Sequence, residues 1–173
     1  MPNKPRIIMI DDQADTFELK EYVAQLESLG YGIGPEIPEL YQGGLTVQNV
    51  FNDVDIFTKY LDDITEDNQV AIDELQSIKA IVIDINMPPG KNLFQKDPTI
   101  TSMDTGKILA KYFYKLFYEN ERNYRPLFFT LSNFAGLDNI GPMVITHLSK
   151  LASVGSRTPA YITNCRTIDD MIK

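Results

Sequence analysis

The chain has 173 residues, 43% apolar and 23% charged, with 24 acidic against 16 basic side chains and a formal net charge of −8. That length suits one domain with a substantial core, and no run approaches the roughly 18 consecutive apolar residues of a membrane helix. The acidic balance, with no Lys/Arg cluster, argues against nucleic acid and anionic membrane surfaces as partners and favours a divalent cation or a basic protein face. Cys165 is the only cysteine, which excludes an internal disulfide, and the start MPNKPRIIMIDD lacks a secretory apolar core, so a cytoplasmic location is expected.

In chain order, the apolar run RIIMI at 6–10 predicts a strand closed by Asp11 and Asp12. Phe17, Leu19, Tyr22, Val23, Leu26 and Leu29 recur at helical spacing, with Gly30 as a C-terminal cap. Five glycines and two prolines between 30 and 44 predict a long loop, and LTVQNVF at 45–51 a second strand. From Asp53 the pattern is helical again through Ile64, and AIDELQSI either extends that helix or forms another. IVID at 81–84 is a third strand, followed by a Pro/Gly-rich loop with a long segment at 90–103. A broad apolar stripe from Ile108 to Phe117 predicts the next helix. LFFTLS at 127–132 is a fourth strand, DNIGPMVITHLSKLASVG a helix, AYIT at 160–163 a fifth strand, and TIDDMIK the opening of a last, short or truncated helix. Apolar strands alternating with helices point to a parallel sheet covered on both faces, with ligands at the carboxyl ends of the strands.

Asp11, Asp12 and Asp84 end the first and third strands, which are usually neighbours in such a sheet. Taken singly, each aspartate is explained as a cap on the turn or helix that follows. Together they form a pocket of like charges that repel unless a cation joins them, and hard oxygen ligands with room for water favour Mg²⁺.

IIMIDD resembles the first strand and acidic pair of the receiver domain of bacterial two-component response regulators. IDINMPPG is similar to that family's phosphoacceptor strand, where an Asp is followed after two residues by Met-Pro. Asp104-Thr105-Gly106 at the start of a helix continues the match. The resemblance implies a flavodoxin-like, doubly wound five-stranded sheet of order 2-1-3-4-5 over the whole chain, 1–173. It implies Asp84 as the phosphoacceptor, Mg²⁺ held by Asp11, Asp12, Asp84 and the backbone carbonyl of Asn86, and Ser132 as the switch hydroxyl. Thr130 replaces Ser132 if that strand is shifted by two residues. Tyr161 matches the aromatic switch position, and Asn164-Cys165 stands where the family carries a Lys-Pro pair, three residues after the aromatic. On this alignment the phosphoryl group loses its protein cation, with Arg166 as a substitute two residues on.

The implied function is a stand-alone signalling domain that accepts phosphate from a histidine kinase or phosphotransfer protein and acts on an output protein or through a homodimer. No enzymatic activity is expected beyond phosphorylation and dephosphorylation of its own aspartate. The absent lysine favours a second reading, a pseudo-receiver interaction module without a phosphorylation switch. A third, a Mg²⁺-dependent aspartyl phosphatase, usually has its nucleophile on the first strand, with a second Asp two residues later. The segment 90–103 either closes over the acidic pocket or is a surface elaboration. His147, the only histidine, is assigned a surface or packing role within a helix, and one His with one Cys cannot make a zinc site. No GxxxxGK[ST], GxGxxG or GxSxG motif is present, so nucleotide, dinucleotide and α/β-hydrolase chemistry have no support.

Overall fold

The computed structural model of the chain describes residues 3–133, 135–151 and 158–173. Five strands, β1 (Arg6–Ile10), β2 (Gly32–Ile33), β3 (Ile78–Asp84), β4 (Leu127–Ser132) and β5 (Ile145–Ser149), pair in parallel throughout. Their order is β2-β1-β3-β4-β5, as the doubly wound fold requires. Alternation along the strands sends side chains to opposite faces. Ile8, Ile10, Ile81, Ile83 and Phe128 face α2 (Val54–Ile64), α3 (Gln69–Ser77) and α5 (Ser102–Tyr114), whose Phe57, Leu61, Leu75, Leu109 and Phe113 complete one core layer. Ile7, Met9, Val82, Phe129 and Leu131 face α1 (Phe17–Ser28) and α6 (Ala160–Ile172), meeting Leu19, Val23, Leu26, Cys165 and Ile168. Such fully buried side chains contribute about 1.5–3 kcal/mol each, which makes the central strands a rigid base for the groups at their ends.

Local chemistry sets the helix boundaries. Asp53 accepts a hydrogen bond from Ile56 N at the start of α2, and Asn68 accepts one from Ala71 N at the start of α3, so AIDELQS belongs to a helix of its own, and the Ile78 that follows it already opens β3. A reciprocal capping box between Thr101 and Asp104 opens α5. The segment 90–103 contains a short helix, α4 (Lys91–Lys96), seated on Asp55, whose carboxylate accepts from Asn92 N. No helix among the described residues is long and apolar enough to cross a membrane.

Three predicted elements are corrected. The second strand is Gly32–Ile33, inside the segment predicted as a loop. Its glycines serve the short strand: Gly34 takes φ +82°, and a Cβ there would lie 2.6 Å from Asn49 Cβ, so the chain turns sharply and leaves the sheet. LTVQNVF joins the sheet only at Phe51, which bridges the end of β1. The fifth strand is Ile145–Ser149, within the stretch predicted as a helix. Ile145, Leu148 and Leu151 imitate helical spacing, but the backbone pairs with β4 from Phe128↔Ile145 to Ser132↔Ser149. The part of that predicted helix at 152–155 lies outside the described residues. AYIT is the first turn of α6, begun by Pro159, whose carbonyl accepts from Ile162 N and Thr163 N. Asn164, Cys165, Ile168 and Asp169 are the buried residues of this helix, a three-to-four period that no strand can satisfy. The last helix is therefore thirteen residues long, not a turn or two. Strand–helix alternation fails once, because the link from β4 to β5 at 133–144 contains no helix among its described residues.

Candidate functional site

β1 and β3 end side by side, with Ile10 opposite Ile83, so Asp11 and Asp84 leave the sheet at one edge. Phe51 pins this edge by donating its N–H to Met9 O at 2.8 Å and accepting from Asp11 N at 2.9 Å. The Asp11 carboxylate accepts from Gln13 N at 2.8 Å and that of Asp84 from Asn86 N at 3.2 Å. Both side chains are buried while Asp12 is exposed, and one carboxylate oxygen from each of the three lies within 4.8 Å of the others. Burial first, and then the neighbouring Asp11 charge, push the Asp84 carboxyl up to about 7. Burial and Asp11 also raise Asp12.

A cation stands in this pocket. Lys150 Nζ lies 3.0 Å from Asp11 Oδ2 and 3.3 Å from Asp84 Oδ2. Burial disfavours its charge, but the two carboxylates outweigh that and hold the ammonium above its ordinary range. Lys150 is placed by the sheet, since it immediately follows β5 and donates its N–H to Ser132 O at 2.8 Å. Sequence reading missed this residue because it took β5 for a helix. The signal was the β-branched run VIT continuing to a lysine six residues after Val144.

The expected positions at 161–166 are overturned with their strand. Tyr161 and Asn164 lie on α6, where they line a cavity of about 450 Å³ between α1 and α6 beside Asp11 and Lys150. Asn164 stands on this helix and not at the end of a strand. It donates through Nδ2 to Ser149 O at 3.0 Å, holding the end of β5 from which Lys150 projects. Cys165 is buried against Tyr22 O, not in a turn, with its thiol pushed up to about 12 by burial. Arg166 is exposed on the helix.

Ser132 ends β4 one residue beyond Leu131, the register partner of Asp84, and is buried. Thr130 lies two residues deeper, where its Oγ1 shares a 2.9 Å hydrogen bond with His147 Nδ1. His147 is thus a strand residue facing β4 and not part of a helix. On the loop after β3, Gly106 N donates to Ile85 O at 3.1 Å. A Cβ on Gly106 would fall 2.6 Å from Ile85 Cα, so the Asp-Thr-Gly start of α5 is the close support of the segment carrying Asn86.

Whether a divalent cation suits these residues is decided by the donor set. Three carboxylate oxygens converge, two come from buried side chains, and Lys150 is the one side-chain cation placed against them among the described residues. Hard oxygen donors with one solvent-facing side fit Mg²⁺, with Lys150 as a competitor for two of the three.

No protein-family model matches the sequence, and no curated protein matches it. Among solved structures, the chain is similar to a response regulator receiver domain protein from Bacillus halodurans C-125, at 10% identity and a TM-score of 0.53, over 99% of this chain and 98% of that one. The chain therefore has the fold of a receiver domain.

Proposed function

We propose that the chain is a receiver-like signalling protein that accepts a phosphoryl group on Asp84 and passes the change on by protein contact. The observation that carries this reading is the convergence of Asp11, Asp12, Asp84 and Lys150 at the carboxyl edge of three strands. In the proposed step an Asp84 oxygen attacks the phosphorus of a phosphohistidine. The P–N bond breaks with its electron pair going to the ring nitrogen, the donor's imidazole, already protonated on its other nitrogen, leaves neutral, and an acyl phosphate remains on Asp84. Asp11, Asp12, Asp84 and the Asn86 carbonyl would hold Mg²⁺, which supplies positive charge to the transferred oxygens. Lys150 leaves its bridge to Asp84 and pairs with the new phosphoryl group, close to −2 at neutral pH. Ser132 donates its hydroxyl to the same group. His147, three residues before Lys150, takes the role expected of Tyr161, linked to β4 through Thr130.

A specific observation keeps the pseudo-receiver reading in view: Lys150 already bridges Asp11 and Asp84, and a permanently closed bridge would leave the fold as a docking module. Incubation with Mg²⁺ and acetyl phosphate, followed by intact mass analysis, separates the two. A hydroxylamine-labile phosphoryl adduct that Asp84→Asn abolishes is the expected result. Absence of both adduct and Mg²⁺ binding overturns the proposal in favour of the docking module, and repeated turnover of a phosphomonoester would point to the phosphatase.

A further inference from the structure

The segment 30–44 builds a second feature that shares no residue with the acidic site. After β2 it forms a short 3-10 turn, Pro38–Tyr41, that lies against α2 and α3 and encloses a groove of about 230 Å³. The Tyr41 and Tyr60 rings form part of the wall, edge to face at 5.1 Å. Three large apolar side chains stand exposed around it, Ile37 at 48%, Leu40 at 64% and Val70 at 74%. Scattered exposed hydrophobes need no explanation, but three on one groove mark an interaction surface. Asp63, Glu66 and Glu74 also line it. Tyrosine hydroxyls hold two of these in place: Tyr41 donates to Asp63 at 2.7 Å and Tyr60 to Glu74 at 2.5 Å. Asp63 Oδ2 is also paired with Lys59 at 2.9 Å and Glu74 Oε1 also accepts from Glu36 N at 3.2 Å, so the positions left to a docking cation are the second oxygens, Asp63 Oδ1 and Glu74 Oε2, and the Glu66 carboxylate.

We propose that this groove docks a partner protein through a segment in which an Arg or Lys is flanked by apolar side chains. The long stem of such a residue matches the tyrosine-lined wall, its charged head the carboxylates, and its neighbours the exposed rim. A hydrated metal ion would leave the apolar rim unused. A second copy of this chain, at net charge −8, would bring like charge to an acidic groove. Burial holds the Glu74 carboxyl above its ordinary range, and an arriving cation would relieve that. The inference does not rest on phosphorylation of Asp84.

The test is a titration of the ¹⁵N-labelled full chain with the capped peptide acetyl-Leu-Arg-Arg-Leu-amide, followed by amide shifts. Shifts concentrated at 36–41 and 63–74 are expected, weakened about fivefold when citrulline replaces arginine. The double variant Leu40→Ser/Val70→Ser, at two exposed positions, should bind about tenfold more weakly with an unchanged melting temperature. Asp84→Asn should bind as the unmodified chain does, which separates this surface from the phosphoacceptor chemistry. No shifts at millimolar peptide, shifts spread over the acidic surface, equal binding of the citrulline peptide, or unaltered binding by the double variant would each overturn the proposal.

Discussion

Replacing Lys150 by methionine keeps the length of the side chain and removes the only cation seen at the three aspartates among the described residues. The ammonium is 3.0 Å from Asp11 and 3.3 Å from Asp84. At an effective dielectric near 20, each contact is worth about 5 kcal/mol of gross attraction. Much of that offsets the cost of desolvating three ions, and truncating one partner of a buried pair typically costs about 3–5 kcal/mol. The lysine side chain is 24% exposed, which brings the expected loss to about 2–3 kcal/mol at pH 8, or about 5–10 °C in melting temperature for a chain of this size. The pH dependence has a definite sign. Lys150 has its pKa raised, so it stays charged from pH 5 to 8 and loses its contribution only at higher pH. Asp84, raised to about 7, becomes neutral as pH falls through that value, and the repulsion left by the substitution falls with it. The deficit of Lys150→Met should therefore shrink between pH 8 and pH 5. Millimolar Mg²⁺ should stabilise the variant more than the unmodified chain, because the metal no longer competes with the ammonium. Urea unfolding at both pH values, with EDTA or MgCl₂, measures all of this. An equal deficit at pH 5 and pH 8, or the same gain from Mg²⁺ in both proteins, would refute the assignment of Lys150 as the counter-ion.

Two further substitutions probe the same edge. Asp84→Asn should stabilise the chain at pH 8. The folded pKa of about 7 lies well above the ordinary carboxylate range near 4, so ionisation of this side chain costs stability progressively as pH rises from about 4 to about 7. A shift of this size sets a ceiling of about 4 kcal/mol; residual solvent and the Lys150 contact reduce the expected gain to about 1–2 kcal/mol. Melting curves across that range should show the gain vanish near pH 4, and a pH-independent gain would contradict it. Gly106→Ala places a Cβ 2.6 Å from Ile85 Cα and 2.8 Å from its carbonyl oxygen. Backbone atoms cannot swing away, so a loss of about 1–3 kcal/mol is expected in urea unfolding, with reduced acetyl phosphate labelling as the loop carrying Asn86 shifts.

The apolar runs of β1, β3 and β4 were legible because each is buried on both faces, and a strand in that environment has to read as continuous Ile, Val, Leu and Phe. The aspartates at their ends followed at once, as did α1, α2 and α5, whose amphipathic stripes run for three turns. The edges were not legible, for a physical reason. β2 needs only two residues because Phe51 continues its work beside β1, and two residues have no period. β5 is an edge strand whose THLS carries half-buried and exposed positions, so its pattern is set by one neighbour and one core face. With a helix read over β5, AYIT is the next β-like tetrapeptide, and the position expected to carry a cation after the fifth strand falls at 164, fourteen residues beyond Lys150. The Cys, Ile and Asp that recur along α6 contradict a strand there, and that recurrence was available in the sequence.

Among the described residues between β4 and β5 there is no helix, which alters what could follow from a change at Asp84. Parallel strands need a long crossover, and here 133–144 supplies it as a loop closed by the Ile140–Met143 bridge, with Ile145 N held by Asn139 Oδ1 at 2.8 Å. The loop rests directly on β5: a Cβ added to Gly136 would lie 2.6 Å from His147 Cγ. The half-buried imidazole thus lies between this loop and the Thr130 hydroxyl, while the Ser132 carbonyl, on the same strand as Thr130, accepts the backbone N–H of Lys150. A displacement of Lys150 toward a new anion on Asp84 would pull on Ser132, and a shift of β4 would reach the surface through Thr130 and His147 as movement of a loop. On the proposed reading, a partner at this edge would meet a loop in place of a helix face.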